Sequence, residues 1–103
     1  MVDKNDILSY LKELKPQLLK DGIEKIGLFG SYAKNSADEF SDIDIFIETN
    51  NNFVEKFGFY GLNYYDELKR KINKKFNVLV DLSDIASLKS DEKKEFLKGA
   101  ISA

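Results

Sequence analysis

Apolar residues recur at helical spacing near the start of the chain. Ile7, Leu11, Leu14 and Leu18 lie four, three and four residues apart, which is one stripe of an amphipathic helix over residues 3–20. Asp3 or Asn5 is placed to cap it, and Pro16 predicts a kink or a division into two short helices. Asp21-Gly22 ends the helix, the glycine being suited to a left-handed cap. Ile23 to Phe29 is an apolar run and predicts a strand. Residues 31–35 predict a short helix and 36–40 a polar loop. Alternation returns at Asp42 to Glu48, a second strand. Thr49 to Asn52 is a polar turn. Phe53 to Gly61 has no clean period and predicts an ordered loop or an irregular helix start. Asn63 is placed to cap a helix over 64–75, with Tyr65, Leu68 and Ile72 inward. Phe76 to Leu82 predicts a third strand, 84–88 a turn, and Ser90 the cap of a last helix over 91–98. Helices alternating with strands predict an α/β sandwich around a small sheet, in one domain spanning 1–103.

The junction of the first two strands carries the candidate chemistry. One strand ends in Gly30-Ser31; ten residues later the next opens with Asp42-Ile43-Asp44. Because strand side chains alternate, Asp42 and Asp44 point to one face, roughly 7 Å apart along the chain. That span suits two oxygen ligands on Mg²⁺ ions carrying a triphosphate. Gly30 lets backbone approach such a phosphate closely, and Ser31 offers a hydroxyl and an amide. Gly-Ser alone is a common turn, and Asp-x-Asp alone is common on solvent-facing strands. The fixed combination is the informative signal. No Gly-x-Gly-x-x-Gly and no Gly-Lys-Ser/Thr loop is present, which argues against Rossmann and P-loop readings.

The third predicted strand adds Asp81 within Val78-Leu79-Val80-Asp81-Leu82. An acid in an apolar strand is costly unless paired or metal-bound, so Asp81 is the candidate third carboxylate of a two-metal site. The alternative is a rim acid. Asp84 reads as a helix cap. Glu48 shares the face of Asp42 and Asp44 but lies further along, and reads as solvated or as a supporting group. The aromatic residues from Phe53 to Tyr65 read mostly as core under a loop, with a nucleobase or partner surface as the sharper alternative.

Composition narrows the classes. A net charge of −2, with 16 basic residues scattered among 18 acids, leaves no basic block of the kind that binds nucleic acid. Cysteine and histidine are both absent, which removes disulfides and thiol nucleophiles and makes zinc ligation implausible. Any general base is an Asp, Glu, Lys or Tyr. No signal peptide and no bilayer-length apolar run is visible, so the cytoplasm is the expected compartment and no membrane partner is expected.

Taken together, Gly27-Leu28-Phe29-Gly30-Ser31-Tyr32-Ala33 and Ser41-Asp42-Ile43-Asp44 resemble the minimal nucleotidyltransferases of the polymerase-beta-like superfamily, close to MntA-type antitoxins. The likeness extends over nearly the whole chain. Val80-Asp81-Leu82 is similar to the segment that holds the family's third acid. The chain departs from the family at Ala33-Lys34-Asn35, where Ala-Arg-Gly is common. Lys34 keeps the charge without the planar fork, and Asn35 can still adopt a left-handed turn. The resemblance implies a polymerase-beta-like fold with a small mixed sheet of about three strands flanked by helices. It implies ATP as substrate, Mg²⁺ on Asp42, Asp44 and Asp81, and a phosphate grip from Gly30, Ser31 and Lys34. It further implies transfer of AMP to a tyrosine hydroxyl of a cognate HEPN-domain toxin, with which the chain could form a hetero-oligomer. The alternatives are an antitoxin that neutralises by binding alone, and a small-molecule nucleotidyltransferase acting as a dimer.

Overall fold

In a computed structural model, described over residues 2–103, five α-helices and four strands follow in the order α1 (Lys4–Lys20), β1 (Ile23–Phe29), α2 (Gly30–Ala33), β2 (Ile43–Thr49), α3 (Asn51–Phe57), α4 (Gly61–Phe76), β3 (Val80–Asp84), α5 (Ser90–Leu97) and β4 (Ile101–Ser102), with a 3-10 turn at Gly58–Tyr60. The strands form one mixed sheet in the order β3-β2-β1-β4. β1 is antiparallel to both β2 and β4, and β2 is parallel to β3. The expected small mixed α/β sheet is present with four strands rather than about three. β4 is only two residues long, too short to leave a period in the sequence.

The two faces of the sheet are treated differently. Ile43, Ile45 and Ile47 of β2 alternate onto one face and are fully buried. With Ile26 and Leu28 of β1 they meet Ile7, Leu11 and Leu18 of α1 and Leu68 and Ile72 of α4. This is the main core, with each fully buried aliphatic side chain contributing about 1.5–3 kcal/mol. Asp44, Phe46 and Glu48 alternate onto the opposite face. Part of that face is closed by Phe96 of α5, whose ring lies 5.0 Å from Phe29 and 5.8 Å from Phe46, centre to centre.

Local rules explain most boundaries and most departures. Asp3 caps α1 through a bond from the Asn5 amide of 2.7 Å. α1 runs through Pro16 without a break, because the apolar stripe on both sides of the proline stays seated on the sheet. Gly22 takes the left-handed conformation, φ 94°. Asn50 caps α3, accepting from the amides of Asn52 and Phe53, so of the two expectations for the aromatic segment, ordered loop or irregular helix start, the helical one holds: it is the end of α3 and a 3-10 turn. α4 then starts at Gly61, which puts Asn63 inside the helix instead of at its cap. Asn77, at φ 56°, ends α4 in the left-handed region. The third strand therefore begins at Val80 and ends at Asp84, later than the apolar run suggests. Ser90 is the first residue of α5, and the cap contact comes from Glu92, which accepts from the Lys89 amide at 3.0 Å.

Candidate active site

Three strand ends and one turn assemble the site. In the sheet register Asp44 of β2 stands opposite Phe29 on one side and Asp81 of β3 on the other. Parallel neighbours in register project the same way, so the Asp44 and Asp81 carboxylates come together on the face away from α1 and α4. The Ile43 amide donates to the Leu79 carbonyl at 2.9 Å and fixes the junction of the two strands. Asp42 lies one residue before β2 and is exposed. Asp81 is also exposed, on an edge strand, while Asp44 is half-buried.

Electrostatics separate Asp44 from an ordinary surface acid. Burial raises its pKa above the usual carboxylate value, and the neighbouring negative charges of Asp81 and then Asp42 push it further the same way. Carboxylates crowded in this way favour either a shared proton or a bound cation. As the side chains stand, no group of three His, Cys, Asp or Glu residues among the described residues is closed around one point. The donor set nevertheless fits a hard divalent cation, being all carboxylate oxygen on two adjacent strands plus a third acid whose charge Asp44 feels.

Gly30 forms the other wall. β1 ends at Phe29, and Gly30 turns the chain into α2 with φ 70°, a conformation that L side chains rarely adopt. A side-chain carbon there would collide with the Asp44 carboxylate. The glycine is thus required twice, by its backbone angle and by the acid packed against it. Ser31 follows in the first turn of α2, half-exposed, and its carbonyl accepts from the Ser36 amide at 2.9 Å. Lys34 is exposed just after α2, and its Cε lies beside Gly99, in the turn between α5 and β4. Asn35 takes the left-handed conformation, φ 60°, as its side chain permits.

Sequence reasoning overlooked the aromatic wall beside the acids. Phe29 is the cross-strand neighbour of Asp44, and Phe96 stacks on it at a tilt. The available signal was that Phe96 is the lone aromatic in α5. Glu48 is also less solvated than expected. Its side chain is 13% exposed and bonds Lys93 of α5 at 2.8 Å, with Lys25 at 3.8 Å from the other oxygen. That second oxygen is buried without a hydrogen-bond partner among the described residues. Glu48 thus ties α5 to the sheet. Asp84 lies at the far end of β3 and is not part of the acid group. It accepts from the Thr49 hydroxyl at 2.7 Å, the Tyr65 hydroxyl at 2.8 Å and the Ala86 amide at 3.0 Å.

Comparison with known proteins bears on the family and the fold. Residues 5–102 match the family model described as a nucleotidyltransferase domain. A curated candidate protein adenylyltransferase of Methanocaldococcus jannaschii is 49% identical over 37 residues, which is 36% of this chain and 40% of that protein. A second from the same organism is 42% identical over 45 residues, or 41% and 46% of the two chains. The alignments thus span less than half the length of these relatives. Among solved structures, one described as a candidate minimal nucleotidyltransferase has a TM-score of 0.71 at 22% identity, covering 97% of this chain and 95% of that one. A toxin-antitoxin MntA–HpeT structure has a TM-score of 0.57 at 21% identity, covering 98% and 72%. A toxin-antitoxin structure with AMP-PNP has 0.55 at 23%, covering 88% and 70%. At these identities the structural likeness establishes a shared fold.

Proposed function

This chain belongs to the nucleotidyltransferase domain family, and within it we propose that residues 1–103 act as one minimal domain that moves AMP from ATP to a protein hydroxyl, a tyrosine of a cognate HEPN-domain toxin. The observation that carries the reading is the packing of left-handed Gly30 against the crowded Asp44–Asp81 pair. That packing joins a glycine turn and a group of acids at one strand junction, which supports a phosphate grip beside a cation site. The names of the matched relatives, protein adenylyltransferase and toxin-antitoxin with AMP-PNP, support the acceptor and the nucleotide. The MntA–HpeT structure is of a variant with two aspartates, two positions apart, changed to glutamate; Asp42 and Asp44 have that spacing.

In this reading Asp42, Asp44 and Asp81 would hold Mg²⁺, which supplies charge neutralisation for the triphosphate. The backbone at Gly30 and the Ser31 amide and hydroxyl grip the outer phosphates, assisted by Lys34. The acceptor oxygen attacks the α phosphorus, the bond from that phosphorus to the bridging oxygen breaks, and pyrophosphate leaves with the electron pair. The hydroxyl proton passes to Asp81, the carboxylate on the open edge strand. Since the chemistry is mostly alignment and charge stabilisation, the absence of histidine is no obstacle. No helix is long and apolar enough to cross a membrane among the described residues; the site of action in this reading is the cytoplasm.

The test is co-expression with the cognate toxin followed by intact-mass spectrometry. Added AMP units on the toxin are expected with the wild-type chain, and none with the Asp42→Ala/Asp44→Ala double variant. An unmodified toxin neutralised equally well by both would replace this reading with antitoxin action by binding alone.

A further inference from the structure

A surface far from the acids has the composition of a contact. Residues 57–65, Phe-Gly-Phe-Tyr-Gly-Leu-Asn-Tyr-Tyr, carry no charged side chain in a chain that is 33% charged. They form the last residue of α3, the 3-10 turn and the first turn of α4, with Gly58 at a positive φ of 52°. Phe59 is wholly exposed at 101%, Tyr60 and Leu62 are each 72% exposed, and Val54 of α3 is 63% exposed. Next to Phe59 is a hollow of about 310 Å³ whose walls include Thr49, Phe53, Leu62, Tyr65 and the Asp84 carboxylate, which the Thr49 and Tyr65 hydroxyls already engage. That volume falls in the range of small-molecule pockets, so it has room for an aromatic ring.

We propose that this knuckle is the interface of a homodimer, in which Phe59 of each copy enters the hollow of the other across a two-fold axis. Three arguments favour a second copy of this chain as the occupant. The first is shape. Knob and socket lie side by side on one surface, which is the self-complementarity an isologous contact requires. The second is charge. Near a two-fold axis a surface faces its own image, so any charge there meets a like charge. An uncharged knuckle over residues 57–65 suits that situation, the one acid of the hollow, Asp84, being taken up by hydroxyls of its own chain, whereas a surface for a different protein gains specificity and association rate from complementary charges. The third is area. Phe59 and Tyr60 together offer ~300 Å². With Leu62, Val54 and the hollow, each copy contributes ~600 Å², and two copies reach the ~1,200 Å² at the lower end of stable interfaces.

Position makes the dimer compatible with a working site. The hollow is lined at the end of β2 by Thr49, five strand steps or ~17 Å from Asp44. Both acid groups stay open to nucleotide and acceptor. The inference stands on the knuckle alone and does not depend on the function proposed for the acids.

Sedimentation velocity over a hundredfold concentration series tests it. The wild type is expected at twice its 11.8 kDa chain mass, and Phe59→Asp is expected to raise the dimer dissociation constant by about thirtyfold or more. Phe59 is fully exposed, so this variant should keep the wild-type circular-dichroism spectrum and should melt as the wild type does at concentrations too low for either to dimerise. A second variant, Tyr60→Cys, introduces a lone thiol into a chain without cysteine. It is expected to oxidise to a disulfide dimer at dilutions where a Lys4→Cys control stays monomeric. A wild type that remains monomeric throughout the series, or a Phe59→Asp chain that dimerises as well as the wild type, overturns the proposal.

Discussion

At the end of α1, Asp21 is 6% exposed and fully engaged. It accepts from Lys56 of α3 at 2.7 Å, from the Tyr64 hydroxyl of α4 at 2.8 Å and from Gln17 at 3.3 Å. Burial by itself raises its pKa, but the bonds from Lys56, Tyr64 and Gln17 and the Lys56 charge more than offset this, and the net shift is downward. At the start of β2, Asp44 is also drawn out of solvent, and the charged groups that act on it are acids. Its pKa goes up from burial, then from Asp81 and Asp42. One aspartate pins three helices and the other is held against its own kind. Donors compensate burial at Asp21, whereas at Asp44 nothing among the described residues does so. Such repulsion left in place at a glycine turn is what supports the proposal of a site for an outside cation there.

The largest test of that contrast exchanges the two acids for their neutral isosteres. Asp44→Asn is expected to lower AMP transfer at least ~10²–10³-fold, the scale of losing a group that stabilises transition-state charge, while leaving the urea midpoint unchanged or higher. Asp21→Asn is expected to cost about 1–3 kcal/mol of stability, because it weakens a buried hydrogen-bonded group, with transfer per folded molecule unchanged. If Asp44→Asn melts earlier than wild type, the claim that repulsion is stored there fails.

Gly30→Ala comes next. The left-handed backbone and the collision with Asp44 are expected to abolish transfer with a stability loss of about 1–2 kcal/mol. A Gly30→Ala chain with normal nucleotide binding by calorimetry would separate the glycine from the acid it packs against.

Smaller again is the pH response, read by urea titration in chelator. The folded pKa of Asp21 lies below its unfolded value, so its contribution is complete above that unfolded value of ~3.9 and is lost as pH falls through the folded pKa. Asp44 is raised, so ionisation costs stability at neutral pH and the cost disappears as pH falls through its folded pKa, above ~3.9. Descending from neutral, the gap in stability between Asp44→Asn and wild type should therefore close before Asp21 begins to fail. A gap that widens on acidification contradicts the assignment.

The smallest expected effect is at Tyr65→Phe. Burial, then the bond to Asp84 and its charge, push this phenol up to about 12. It is neutral throughout the working range, and its loss should cost about 1 kcal/mol without changing transfer.

The contrast itself was only half legible in the sequence. Gly30, Asp42 and Asp44 stood out because a strand, a turn and an alternating strand leave periodic marks, and Asp81 because an acid interrupts an apolar run. The register that brings Asp81 beside Asp44 is a tertiary property of a parallel pair and leaves no local trace. Asp21 read as a helix stop, since its partners Lys56 and Tyr64 lie 35 and 43 residues away. The aromatic segment carried a mixed signal because Phe53 faces the core while Phe59 faces solvent, which erases any single period. β4 was invisible for its length. Pro16 was over-weighted, since propensity gives way to packing on both sides of it.

The most direct measurement uses ATP labelled in turn on the α and the γ phosphate, incubated with the chain, Mg²⁺ and the cognate toxin. The expected result is label on the toxin from α-labelled ATP, none from γ-labelled ATP, and none from either with Asp44→Asn. Toxin labelled from the γ position, or labelled equally by the Asp44→Asn chain, would contradict the reading of the crowded acid pair as a nucleotidyl-transfer site.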